Sequence, residues 1–393
     1  MKQKNYTPLY ALLQALVWGG FGVIISFAAP YFTEYGLTDT QYGLILGIVS
    51  AVSFFAQLGL AELCSRLARL TLQRLLILLG ILMVLCCLAL WLFPLPLVWI
   101  ILLYCLTAVS VQALPSFVNA LGMAGLGSGL SINFGVARGI GSASFAVFSF
   151  CVGQLIDLTD IRAVPALYLI IGGTLIFAAL RFPRVQETET EERGSGGSLW
   201  KNSRLLMVLL GATLLYVSHN FLCNFLYQVA VARSGDTTDQ GICLAIAAFC
   251  ELPVMFLFTK MRKLRQSSFW LKLSGVFMGL RVLGCLLSSS VGWLYASQLF
   301  QLLGFALFSV SSVFYISSVV DKKDTVRAQA MLASTCTLSN FLTFLLGGTL
   351  MDGFGVDFVL LCATGCAAVG TALLILFAND RRRVSGAARE VEL

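Results

Sequence analysis

Residues 75–93 read LLILLGILMVLCCLALWLF, an apolar stretch without a charged residue. As an α-helix, about 20 such residues cross the roughly 30 Å hydrocarbon core of a bilayer. We count twelve stretches of this kind, and the breaks between them contain nearly all the Lys, Arg, Asp and Glu. They begin near Tyr10, Tyr42, Leu75, Leu97, Asn133, Pro165, Leu205, Gln240, Ser268, Gly292, Arg327 and Gly355. The sequence therefore predicts an all-α membrane protein with twelve transmembrane helices.

The composition leaves little chain for a soluble domain. Of 393 residues, 58% are hydrophobic and only 11% are charged. The first apolar stretch is longer than the core of a signal peptide and lacks an obvious cleavage site of small residues, so we expect it to remain as the first helix. Whatever the protein does, we expect it to do within the bilayer.

The Lys and Arg residues predict the orientation. All but four of the 26 fall in the two tails and in alternate loops, which lie on one side if every stretch crosses. The exceptions are Arg162 and Arg233 in opposite loops, and Arg138 and Arg281 inside apolar stretches. The positive-inside rule then predicts a multi-pass protein of the cytoplasmic membrane with both termini in the cytoplasm. Contact with anionic lipid explains the net charge of +7 without a nucleic-acid partner.

The only long polar run lies near the middle of the chain. Residues 184–204 contain four glutamates followed by GSGGS at 194–198, which is typical of a flexible linker. We therefore expect an N-terminal six-helix half (1–183), a cytoplasmic linker (184–204), and a C-terminal six-helix half with a short tail (205–393). Two halves that rock about a central site are typical of secondary transporters, and we expect a monomer.

Two motifs carry a family resemblance, and the first lies after the second apolar stretch. Residues 57–68, QLGLAELCSRLA, resemble the Gly-x-Leu-Ala-Asp-Arg-x-Gly signature of the major facilitator superfamily. Ser65 stands where the family has Asp, and Arg66 matches the family Arg. The resemblance implies that Ser65, Arg66 and Arg69 belong to a conformational loop that has lost its locking carboxylate. The alternative is that the two arginines only orient the protein.

The second motif, NFGVARGIGS at 133–142, is similar to the Phe-Gly-x-Ala-Arg-x-x-Gly run of the lactose permease and other oligosaccharide:proton symporters. The resemblance implies that Arg138 binds substrate hydroxyls and that Phe145 stacks on a sugar ring. Positions 138, 142 and 145 share one helical face, so Ser142 is also a candidate for substrate binding. The alternative is that Arg138, near a helix end, reaches for lipid headgroups.

The second half carries weaker matches. FCELP at 249–253 resembles the family segment whose carboxylate contacts sugar, which implies a substrate-binding role for Glu251. Arg281 matches a buried Arg of the family and is the candidate charge partner. A direct salt bridge between Glu251 and Arg281 that only holds two helices together is the alternative for both.

The chain also departs from the family. Relatives carry Lys, His and Glu along helix 10 for proton translocation, whereas residues 298–304 read QLFQLLG. The family Glu that pairs with the helix 5 Arg is missing too, and Asn119 is the nearest polar counterpart. Glu251 and His219, the single histidine, are then the candidates for proton coupling.

No enzyme signature is present. The sequence lacks nucleotide-binding, zinc-protease and serine-hydrolase motifs, and its 12 cysteines lack metal-ligand spacing, so we expect neither cofactor nor metal. We expect a secondary active transporter of a small polar solute, saccharide- or nucleoside-like, that works by alternating access and proton symport. A multidrug or metabolite exporter on the same fold is one alternative, and a non-transporting membrane sensor or scaffold is the other.

Overall fold

The computed structural model describes residues 5–66, 70–183, 185, 199–320 and 325–379, which are almost entirely helical. The helices are α1 (Thr7–Glu34, bent at residues 25–27), α2 (Asp39–Arg66), α3 (Leu72–Leu92), α4 (Leu97–Gly127), α5 (Phe134–Leu158), α6 (Ala163–Arg181), α7 (Ser203–Asn224), α8 (Thr237–Leu264), α9 (Ser267–Leu286), α10 (Val291–Val319), α11 (325–354) and α12 (356–377). Short helical segments also occur at Leu226–Val231 and Leu199–Lys201.

Eleven spans of the described residues are long and apolar enough to cross a membrane. The last one, Met331–Phe377, is two helices joined at Gly355, whose φ of 80° favours glycine. This bend separates α11 from α12 and gives the twelve helices that the sequence predicts. Each helix begins within three residues of its predicted start.

We refer to α1–α6 as the first half of the chain and to α7–α12 as the second half. In the first half α1 packs against α4, α5 and α6, and in the second α7 packs against the last two helices. Because lipid gives helices no hydrophobic reason to associate, small residues that allow close approach stabilise such contacts. Gly211 of α7 and Gly370 of α12 illustrate this, since their backbones are in direct contact. Between the halves, α2 packs against α11 and α5 against α8.

Alternating helix directions give the bundle two ends. We call the end that carries residues 128–133, 182–183, 199–203 and 264–267 the linker side. We call the end that carries residues 35–38, 159–162, 225–236 and 287–290 the far side. Most of the predicted linker, residues 184 and 186–198, lies outside the described residues. The side chains of Ser65 and Arg66, at the end of α2, and all of Arg69 lie outside them too, so the conformational loop stays a prediction.

Two matching contacts, here called the twin clasps, join the halves at the far side. In the first, the carboxylate of Asp352 on α11 accepts hydrogen bonds from the backbone N–H groups of Asp39 (3.2 Å) and Thr40 (2.7 Å), which begin α2. In the second, Asp157 at the end of α5 accepts from the Thr237 hydroxyl and from the backbone N–H of Thr238 (2.8 Å), both in the first turn of α8. The first N–H groups of a helix lack partners within it, and negative charge is favourable there. Each aspartate therefore caps a helix of the opposite half.

The same spacing of a glycine and an aspartate occurs at both clasps. GQLID at 153–157 and GTLMD at 348–352 each place a glycine one helical turn before the clasping aspartate. A Cβ at Gly153 would meet the carbonyl oxygen of Thr237, and a Cβ at Gly348 would meet that of Asp39. The glycines thus bring the helices of the two halves into backbone contact. The structure is therefore a conformation in which the far side is closed.

Candidate functional site

Arg138, the fifth residue of α5, points into the bundle. Its guanidinium carbon lies 4.0 Å from the centroid of the Trp18 ring on α1, and its Nη1 donates to the Ser142 hydroxyl at 3.0 Å. A cation is attracted to the face of an indole. Arg138 is therefore held between helices instead of reaching for lipid headgroups. Within the described part of the chain its remaining N–H groups have no protein acceptor, so they are available to a ligand.

A hydrogen-bonded chain fixes the indole under Arg138. Gln14, fully buried on α1, accepts from Trp18 Nε1 at 3.1 Å and donates to Asn119 Oδ1 on α4 at 2.8 Å. The same amide nitrogen lies 2.7 Å from the Tyr10 hydroxyl. Asn119 is thus connected to Arg138 through Gln14 and Trp18. It does not pair with the arginine directly. In this respect it differs from what the family resemblance implies for a carboxylate at this position.

Glu251 faces this group from α8, in the opposite half. It is half-buried, and its Oε1 accepts from Gln301 Nε2 of α10 at 2.9 Å. Arg138 and Arg281 both attract its charge. Neither forms an ion pair with it, because the only ion pair within 4.0 Å among the described residues joins Arg233 to Asp357. The direct salt bridge between Glu251 and Arg281, considered from the sequence, is therefore absent.

Arg281 has other partners. It is 2% exposed, and its Nη2 and Nε donate to Gln298 Oε1 at 2.6 and 3.1 Å. Its Nη1 lies 3.2 Å from His219 Nδ1. Because a guanidinium can only donate, Nδ1 must accept, and the imidazole is neutral with its proton on Nε2. A second proton on His219 would sit on Nδ1, so that two N–H groups would face each other without an acceptor. It would also place a second positive charge beside the guanidinium. His219 therefore serves Arg281 as an acceptor.

The aromatic candidate lies where the two halves meet. Phe145 is half-buried against Ala245 and Ala248 of α8. Ala248 is three residues before Glu251 and shares its helical face. The structure therefore brings one face of α5, with Arg138, Ser142 and Phe145, opposite the face of α8 that carries Glu251.

Sequence reasoning missed Trp18. Tryptophan in membrane proteins concentrates at the two lipid–water interfaces, so one near the middle of a helix is a signal in itself. A second signal is Gly141 in the α5 motif, where a Cβ would lie 2.8 Å from Trp18 Cδ1. The glycine leaves the room that the indole needs.

Comparison with known proteins agrees with this arrangement. The sequence profile of the MFS_1 like family matches residues 10–362. The chain belongs to the MFS_1 like family. This confirms the resemblance to the major facilitator superfamily, and the family and the fold make the protein a membrane transporter, not an enzyme. Comparison with curated protein sequences gives no match.

Solved structures share the fold. The crystal structure of a point mutant of nucleoside transporter NupG has a TM-score of 0.81 and 14% identity, covering 95% of this chain and 100% of that chain. A second NupG structure has a TM-score of 0.76 and 14% identity, covering 95% and 98%. A bacterial homolog of the human lysosomal transporter Spinster, inward-facing and unoccupied, has a TM-score of 0.68 and 14% identity, covering 94% and 96%. At this identity the likeness concerns the fold alone.

Proposed function

We propose that the protein carries a small solute rich in hydroxyl groups, a saccharide or a nucleoside, by alternating access in symport with protons. The observation that supports this best is that the face of α5 with Arg138 packs against the face of α8 with Glu251, while no ion pair joins the two charges. A guanidinium and a carboxylate that attract each other without pairing offer strong hydrogen bonds to a solute placed between them. A hydroxyl group both donates and accepts hydrogen bonds, so a hydroxylated solute can bind to the guanidinium and to the carboxylate.

The neighbouring groups fit such a solute. The Ser142 hydroxyl accompanies Arg138, and the Phe145 ring offers an apolar face at the same junction of the halves. Sugar rings and nucleosides combine hydroxyl groups with a flat or apolar face. The lactose permease motif in α5 favours a saccharide, whereas the likeness in fold to nucleoside transporter NupG favours a nucleoside.

Glu251 is our candidate for the proton site. A carboxyl inside a membrane protein is costly as a charge, and such residues often serve as proton carriers. His219 is less suited, because it accepts a hydrogen bond from Arg281 and a proton would displace that bond. Proton uptake at Glu251 would change the charge opposite Arg138, and so would couple the proton to the solute.

The charge pattern supports a location in the cytoplasmic membrane with both termini in the cytoplasm. On that orientation the far side, closed by the twin clasps, faces away from the cytoplasm. We propose that a single chain is the working unit, with the two halves (1–183 and 205–393) moving as bodies about residues 184–204.

Reconstitution into proteoliposomes tests the proposal. Radiolabelled nucleosides and neutral sugars are offered with and without a pH gradient, and an Arg138→Ala variant is compared with Arg204→Ala, which removes an exposed arginine at the start of α7. We expect gradient-driven uptake of one solute class that only Arg138→Ala abolishes. Uptake of no hydroxylated solute by correctly folded protein would contradict the proposal. Efflux of apolar compounds would identify an exporter, and no flux at all would identify a sensor.

A further inference from the structure

Gln301 is the direct hydrogen-bond partner of Glu251. It lies on α10, is 2% exposed, and uses its Nε2 to reach Glu251 Oε1 at 2.9 Å. Its Oε1 is fully buried and has no hydrogen-bond partner among the described residues. A buried amide oxygen without a donor is costly, so this atom calls for a donor that is absent while Glu251 is ionised.

An amide can serve a carboxyl group in both charge states. Its NH₂ group donates to a carboxylate, and its carbonyl oxygen accepts from the O–H of a carboxylic acid. A half-turn of the terminal torsion exchanges the two, and this torsion has a broad two-fold profile. A lysine at this position would serve only the carboxylate, and an apolar side chain would serve neither state.

The other groups around Glu251 do not share this property. Those that face it electrostatically are Arg138 on α5, Arg281 on α9, Cys223 on α7 and Cys250 beside it on α8. His219 on α7 faces Arg281. Neither arginine is hydrogen-bonded to Glu251. Among the described residues, the direct hydrogen bond that proton uptake at Glu251 can alter is therefore the one to Gln301.

Gln301 also lies in the irregular part of α10. Residues Leu299–Leu302 form a 3₁₀ stretch that packs against α8 and α9, and the regular helix is interrupted at Gly304 before it resumes at Phe305. Short 3₁₀ stretches inside a helix often mark hinges, and broken helices line the sites of many carriers. A change at Gln301 therefore occurs within the irregular segment of α10.

We propose that Gln301 is the positioning residue of proton coupling: its amide donates to ionised Glu251 and accepts from protonated Glu251. Proton uptake thereby changes the conformation of the Gln301 side chain, and with it the packing of the irregular segment of α10. The proposal rests on the proposed function, in which Glu251 carries the proton. The proton comes from solution and returns to it, and only the Glu251 O–H bond forms and breaks.

The test is the pH profile of solute uptake in proteoliposomes for Gln301→Met and Gln301→Lys. Methionine removes the stronger bond, that to the charged form, so the carboxyl holds its proton to higher pH and the midpoint of uptake moves up by about one pH unit. Lysine favours the carboxylate, so the midpoint moves down by a similar amount. Gln112→Met on α4, which also replaces a half-buried amide, is the control and keeps the wild-type midpoint.

Solute exchange without a gradient should persist in both Gln301 variants. Unchanged midpoints in both would overturn the role of Gln301, as would shifts in the same direction. If the lysine variant does not reach the membrane, the methionine variant decides alone. Wild-type uptake that ignores pH would instead contradict proton coupling itself, so failure of the proposed function is distinguishable from failure of this inference.

Discussion

Replacing both Asp157 and Asp352 by asparagine should open the far side. In each clasp an aspartate accepts two hydrogen bonds across the halves, and an amide keeps one accepting oxygen and presents NH₂ in place of the other. Losing one charge-assisted bond, with the favourable interaction at a helix N-terminus, costs about 1–2 kcal/mol per clasp after competition with water. The clasps share no residue, so their effects add to about 2–4 kcal/mol.

That cost falls on the closed conformation only. Since about 1.4 kcal/mol is a factor of ten, the ratio of closed to open molecules should fall by about 30- to 1,000-fold, enough to make a minor open state a major one. Pulsed electron paramagnetic resonance between nitroxides on keto amino acids at Asp160 and Ser289 measures this, and avoids the 12 native cysteines. Asp357→Asn is the control, because its partner Arg233 lies in the same half.

A second, longer distance should appear in the double variant and not in the control. A wild-type distance distribution in the double variant would refute the view that the clasps hold the far side closed.

Three further changes test the site. Arg138→Lys keeps the charge but loses the planar fork, so solute affinity measured by calorimetry should fall by about 1.5–3 kcal/mol; unchanged affinity would remove Arg138 from the binding site. Gly141→Ala should displace Trp18 and weaken binding about tenfold, whereas Gly135→Ala, where a Cβ would meet only Asn133 Oδ1 at 3.8 Å, should not; equal effects would argue against the indole platform. His219→Gln retains an acceptor for Arg281, so pH-driven uptake should persist, and its loss with intact exchange would make His219 the proton site.

The fold could be predicted from the sequence because it depends on properties that the chain displays locally. The length of apolar stretches and the placement of Lys and Arg are set by the bilayer alone, so they need no knowledge of tertiary contacts. Even the bend at Gly355, which joins α11 to α12 without a loop, coincides with a predicted helix start.

The site could be predicted only where one helix determines it. Arg138 and Ser142 are four residues apart on α5, and helical periodicity alone brings them together. The partners from other helices could not be found this way. Arg281 bonds to Gln298 and not to Glu251 because of how α8, α9 and α10 are rotated and spaced. Trp18 lies under Arg138 because of how α1 packs against α5.

The twin clasps show the same limit. The repeat of Gly and Asp at 153–157 and 348–352 is visible in the sequence, but aspartate at a helix end has no obvious partner until α2 and α8 are seen beside it. Contacts between halves depend on the conformation that the carrier adopts, and a sequence encodes more than one.

The most direct test of the central claim is Glu251→Gln in proteoliposomes, with uphill accumulation and solute exchange measured in the same preparation at saturating solute. If Glu251 carries the proton between the halves, the variant should lose accumulation driven by a pH gradient and keep measurable exchange, because a permanently neutral side chain still lets the loaded halves rock. Accumulation at the wild-type level under the same pH gradient would contradict the account.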